Sequence, residues 1–435
     1  ATTEIYTLPL HDALPILQAA SRTPRVCSVP ARSIALSTAT QTYKGDTTIN
    51  AGQLLIQGNN TTNLINSSSR LVLGGGQLDY KGTAATISTQ TFNGTVLNAG
   101  ISLFIPNSGT GNNTIDFGAI TRNSGAAFNL TTTTGYVLKA TGTTLDGGNV
   151  VKGVFISGND FATVSSGNLT AAAYTTQNAA GSWTGNTTNY VTNGAVSGTV
   201  GTGGTVTING LKLNNASTQS FGINGTLVVN DGIIFASNLG AFASEISGGN
   251  LTGPSGSTGS SDLIIVNNST QATYGRSTVS STIVNNGSAT NLILYGANTG
   301  SLFISGTNTY TGNTYVAGGQ NTGAGVVVVG GAAGARIGSA NATVFINGGQ
   351  GGLNSTLRVG NGDATGDVLG KIQVDNGNLS LNRTDTNTLS ATVSGVAGGG
   401  YITLANTGNT TLNFASGSNT FQLLQSSAAG TLNLG

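Results

Sequence analysis

Residues 302–320 read LFISGTNTYTGNTYVAGGQ, and their second half recurs earlier in the chain. Tyr310-Thr311-Gly312-Asn313-Thr314-Tyr315-Val316-Ala317-Gly318-Gly319-Gln320 matches Tyr43-Lys44-Gly45-Asp46-Thr47-Thr48-Ile49-Asn50-Ala51-Gly52-Gln53 in the pattern Tyr-x-Gly-Asn/Asp-Thr-x-Val/Ile-x-small-Gly-Gln. A threonine precedes each tyrosine, Thr309 and Thr42. Trp183-Thr184-Gly185-Asn186-Thr187 is a local echo, and Gly417-Ser418-Asn419-Thr420-Phe421 a weaker one. Self-similarity between short strand-like segments is the mark of a repeat architecture.

Outward from these motifs the same texture continues. Leu54-Leu55-Ile56, Leu71-Val72-Leu73, Leu263-Ile264-Ile265-Val266, Leu292-Ile293-Leu294-Tyr295 and Leu379-Ser380-Leu381 are short apolar runs bounded by Gly, Asn or Ser, which reads as strands and turns. No helical periodicity competes. Sustained over some 400 residues without a break in composition, the pattern favours a solenoid over a sandwich, which ends after about 100–250 residues. The fold class is therefore all-β, a parallel β-helix or β-solenoid. Coils of about 20–25 residues stacked at about 4.8 Å predict roughly 16–20 rungs in one rod about 80–95 Å long.

Composition agrees. The 435 residues include 68 glycines, and only 7% are charged, against about a quarter in ordinary domains. Asn, Thr and Ser supply polarity instead, and neutral side chains stack in ladders without like-charge repulsion. The 37% hydrophobic content, set in β-branched runs, is too high for a disordered linker.

The repeated motif resembles the autotransporter-associated β-strand repeat of large bacterial surface proteins. That resemblance implies a stacked parallel β-helix, export to the bacterial cell surface across the outer membrane, and a structural or adhesive role as a stalk or adhesin. It implies an unknown surface ligand, a glycan or a host or matrix protein, and contact with the membrane only through a C-terminal barrel or sorting tail beyond Gly435.

Residues 1–16, ATTEIYTLPLHDALPI, resemble a translated sequencing adapter with one difference, at Pro9, and are set aside as an artefact. That removes His11, the only histidine, together with Glu4 and Asp12, leaving 15 basic residues against 12 acidic. Residues 17–33, with Arg22, Arg25, Cys27 and Arg32, read equally as a leader or an out-of-frame segment. Residues 34–435 form the solenoid region, which the strand-like ending at Leu434 marks as truncated.

Few residues offer chemistry. Without histidine there is no Ser-His-Asp triad, and one cysteine excludes a four-cysteine zinc site. Scattered Lys and Arg make no basic stripe for nucleic acid. Asp363 and Asp367 form the one close acidic pair and suggest a calcium loop, but they miss the glycine-rich nonapeptide pattern and read as an exposed, solvated loop. Parallel β-helices include polysaccharide lyases and glycosidases, whose sites need acids clustered with Arg or Lys. Asp363, Asp367, Lys371, Asp375, Arg383 and Asp385 are the densest candidates, yet their spacing fits no single coil length, so alignment on one face is not indicated. No catalytic, cofactor or metal residue is assigned. The sequence reads as an adhesive or structural surface protein, with a carbohydrate-acting enzyme as the alternative.

Overall fold

The computed structural model describes residues 27–29 and, with short breaks, 33–434. Residues 1–26, which include the adapter-like segment, and the echo at 417–420 lie outside the described residues. All the regular elements among the described residues are β-strands.

The first stack has three faces. One carries Thr47–Ile49, Leu71–Leu73, Thr95–Leu97 and Ile120–Arg122; the next carries Gln53–Gly58, Gln77–Gly82, Gly100–Asn107 and Ala126–Leu130; the third carries Ser88–Thr91, Asn113–Asp116 and Tyr136–Lys139. Neighbours within each face are parallel and in register, as in Thr47 beside Leu71 beside Thr95. At its end the chain leaves this pattern. Val154–Ile156, Asp160–Ser165 and Asn168–Ala171 form an antiparallel meander that returns to Lys139, so the exposed edge of the last coil is closed.

A second stack begins at Thr175–Thr176. One face holds ten strands from Thr199–Val200 to Phe421–Gln425. The other sheet bends where its register shifts, between Ile208 and Gly210 and between Gly338 and Thr343, so each coil again presents three faces. Coil lengths vary from 15 residues (Thr175 beside Tyr190) to 33 (Ser244 beside Ser277). Corners and not strands absorb the variation, because only the strands must pair with the coils above and below.

Each stack has its own axial core. Ile49, Leu54, Leu73, Phe104 and Phe128 fill the first, where Phe104, Phe117 and Phe128 pack edge to face. Ile208, Leu263, Ile265, Leu292, Leu294, Ile304, Val327, Val329 and Leu357 fill the second. A third cluster lies between the stacks. Ile101, Leu103, Ile105 and Phe155 from the first meet Ile234, Ile264, Val266, Ile293 and Tyr295 from the second.

The single rod expected from the sequence is therefore folded back on itself, and the two stacks lie side by side. Gly100–Asn107 lies against Thr314–Gly318, whereas Asn129 further along donates to the Tyr295 hydroxyl (3.0 Å) and Asn268 donates to Ser157. The first stack climbs as the second descends, so their coil axes run in opposite senses. The strand sequences report this contact. Leu263-Ile264-Ile265-Val266 is buried at every position, as a strand covered on both faces must be. Beyond the reach of the first stack, Lys371-Ile372-Gln373-Val374-Asp375 alternates between exposed or half-buried polar residues and a buried core.

A charged clamp pins the interface. Asp262, 5% exposed, accepts from Arg122 Nη2 (2.7 Å), Ser124 Oγ (2.9 Å), the Gly125 amide and Asn291 Nδ2. Lys212 pairs with Asp160 (2.5 Å) beside the Tyr174 ring, tying the closing meander to the second stack. In the sequence Asp160 and Asp262 stand singly, with no charged neighbour to signal a clamp.

Candidate functional site

The repeated motif is structural. Each tyrosine hydroxyl meets the threonine four residues on: Tyr43 with Thr47 (2.7 Å) and Tyr310 with Thr314 (2.5 Å). Both threonines open inward-facing strands, Thr47–Ile49 and Thr314–Gly318, so the tyrosine closes the corner onto the strand that follows. Tyr310 is fully buried and also accepts from the Gly338 amide of the next coil (2.9 Å). Burial pushes its hydroxyl up to about 12, opposed by the bonds from Thr314 and Gly338. Gly312 has no room for a side chain, because a Cβ there would strike the Thr290 backbone. At the echo, Trp183 takes the buried aromatic position and packs on Tyr190 and Phe221 at the start of the second core. Thr131 to Thr134 lie in the turn after Ala126–Leu130.

The charged segment differs from its sequence reading. Asp363 ends one strand, Thr356–Asp363, and Asp367 starts the next, Asp367–Asp375; both are half-buried, not in an exposed loop. Asp363 accepts from the Thr365 amide and hydroxyl (3.0 and 2.6 Å). Burial raises its carboxyl, but the bonds from Thr365 and Asn361 and the nearby Arg383 outweigh this and hold it below its ordinary value. Asp367 accepts from the Ser390 hydroxyl (2.6 Å) one coil on. Asp375 is pushed up by burial, against the bond from Gln373, and Asp385 is held low, chiefly by its bond to Arg383. Lys371 is exposed beside Thr343 and Thr392.

The structure also brings together what spacing kept apart. Arg336 pairs in register with Asp367, and Asp363 with Arg383, on successive coils. Separations of 31 and 20 residues fit no common coil length, yet they align because the corners differ in length. Earlier corners of this edge are short, such as Gly248-Gly249 between Ser244–Ser247 and Asn250–Thr252. Here the corners are longer, and residues 333–336 and 364–367, with Arg383 and Asn387, border an open groove of about 380 Å³.

Within the groove the two arginines play different parts. Buried Arg383 grips Asp385 with both arms of its guanidinium (2.9 and 2.7 Å) and donates to the carbonyls of Gly366 and Ala364. It is a strut that holds the corner open. Thr365 Oγ1 accepts from the Gly331 amide (2.7 Å) and joins the two corners. Arg336 is half-buried and, among the described residues, donates only from Nε, to the Asn308 carbonyl (3.1 Å). Among the described residues no group of three or more His, Cys, Asp or Glu side chains gathers as for a metal ion, and no helix is long and apolar enough to cross a membrane.

With two side-by-side parallel stacks and a motif that locks their corners established, comparison with known proteins places the chain. Over 294 residues, 64% of its length, it is 34% identical to the adhesin BmaC autotransporter of Brucella suis biovar 1 (strain 1330). The chain is similar to an autotransporter adhesin. The match agrees with the passenger-type repeat resemblance of the tyrosine motif and with the solenoid fold. The matched region spans about 8% of that adhesin's length. No family model and no solved structure matches the chain.

Proposed function

We propose that this chain is a segment of an exported bacterial surface protein that acts as an adhesin or as the stalk presenting one. The observation that carries this reading is the similarity to an autotransporter adhesin, on a chain that folds as a parallel solenoid. Its mechanism is geometric: stacked coils form a continuously hydrogen-bonded body whose outer faces hold partners while its core resists proteolysis. The partner would be a glycan or a host or matrix protein outside the cell. Any membrane anchor would be a barrel or sorting tail elsewhere in the full protein.

We read the segment as non-enzymatic, because Asp363, Asp367 and Asp385 are each engaged in holding a corner or a neighbouring coil. Beads coated with the purified chain should be retained on cultured epithelial cells and matrix-coated surfaces above beads carrying an unrelated β-solenoid. Equal retention would overturn the adhesive reading. Release of reducing ends from polysaccharides by the soluble chain would favour a carbohydrate-acting enzyme instead.

A further inference from the structure

The groove at the enlarged corner presents donors with nothing to bond. Arg336 Nη1 and Nη2 have no partner among the described residues. A guanidinium edge is a planar fork that matches a carboxylate with two parallel bonds. Asp367 stands beside it, its oxygens bonded by Ser390 and by the Val368 amide yet still with lone pairs for a further donor. The exposed residues on the groove's rim include Ala333, Gly334 and Ala364, none of which carries a large side chain. The groove forms where two successive corners lengthen and Arg383 props them open.

We propose that this groove binds a carboxylate-bearing sugar, with Arg336 on the carboxylate and Asp367 on a ring hydroxyl. A volume of about 380 Å³ suits one or two sugar rings. The free fork selects the carboxylate: Arg383 is spent on Asp385, whereas Arg336 has no ion-pair partner among the described residues and offers both Nη groups. Asp367 disfavours a phosphate monoester, whose second charge would meet it more strongly, and favours a ligand that offers hydroxyl donors next to a single negative charge; a sulfate ester carries the same single charge and is the anion against which the planar fit of the carboxylate is tested. This inference rests on the adhesive reading and gives it a ligand class.

Calorimetric titration of the purified chain with 3′-sialyllactose, trigalacturonic acid, lactose and lactose sulfate tests it. The two carboxylated sugars should bind, lactose should not, and Arg336→Gln should weaken binding at least tenfold while melting within about 2 °C of wild type. Arg336→Lys, which keeps the charge and loses the fork, should fall between. No binding of either carboxylated sugar, equal binding of lactose, preference for the sulfate, or unchanged binding by a folded Arg336→Gln would each overturn the site. The bead assay separates the two readings. Retention that survives Arg336→Gln, with no acidic sugar bound, refutes the groove and leaves adhesion standing; absent retention of the wild type refutes adhesion.

Discussion

Replacing Ile264 by alanine distinguishes a folded-back pair of stacks from a single rod. Ile264 and Ile265 are neighbours on one strand, and both are fully buried, but in different cores. Ile265 points into the axis of its own coil. Ile264 points out, against the first stack. In an isolated solenoid Ile264 would be a surface residue, and its truncation would change stability by no more than about 0.5 kcal/mol. In the structure the change removes three carbons from a closed interface and should cost about 2–5 kcal/mol, the range for buried Ile to Ala. Thr392→Ala, on an outward position past the end of the first stack, is the control and should be near neutral. Urea unfolding gives the energies. Small-angle scattering of Ile264→Asp gives the shape, because an unpaired buried charge costs several kcal/mol and should part the stacks. The longer sheet has 12 strands along its path, an axial length of about 55 Å at ~4.8 Å per strand, and an opened chain would add the first stack and approach 80 Å. A neutral Ile264→Ala, or a wild type already extended in solution, would refute the packed arrangement.

Other outcomes follow from the same packing. Val327 is fully buried in the second axial core, between Leu302 and Leu357, so Val327→Asp should abolish hydrogen-exchange protection in adjacent coils and spare distant ones; uniform loss would mean one cooperative core. Tyr310→Phe strips the Gly338 amide of its acceptor and should cost about 1–3 kcal/mol by urea unfolding, a loss that an unaffected midpoint would contradict. The Tyr310 hydroxyl is raised in the fold to about 12, so its stabilisation is complete below the ordinary tyrosine value and should fade as pH climbs from about 10 toward 12, a trend that Tyr310→Phe should flatten. Asp231, 1% exposed, has its carboxyl raised by burial and by neighbouring Asp146, with Lys152 and the Asn209 amide opposing. A raised carboxyl stabilises in acid and loses that contribution as pH rises through its folded value. Asp231→Asn should therefore gain melting temperature over wild type at pH 8 and lose that advantage near pH 4; the reverse order would count against a protonated Asp231.

The parallel solenoid was legible because its signals are local. Short β-branched runs, glycine at corners and a tyrosine four residues before a strand-opening threonine each act within one coil, and Leu54, Leu263 and Leu292 sit in the cores that their apolar runs implied. The continuous runs at Ile233-Ile234-Phe235, Leu263–Val266 and Leu292–Tyr295 also carried a sign of the second interface, because a strand covered on one face alternates and these do not. Which surface covers them could not be read from the runs themselves. The partners Arg122 and Asp262 stand 140 residues apart, and no periodicity links them.

The groove shows the same division. Sequence alone determined that Asp363, Asp367 and Arg383 crowd one segment and that glycines flank them. Only the tertiary structure decided that Arg336, a coil earlier, faces Asp367, because that register depends on the summed lengths of corners whose conformation the strand pattern leaves free. Strand character is written in the alternation of neighbouring side chains, so it survives reading one coil at a time. The return of one stack upon another, and the meeting of corners from successive coils, arise from contacts between residues whose separations vary with every loop between them.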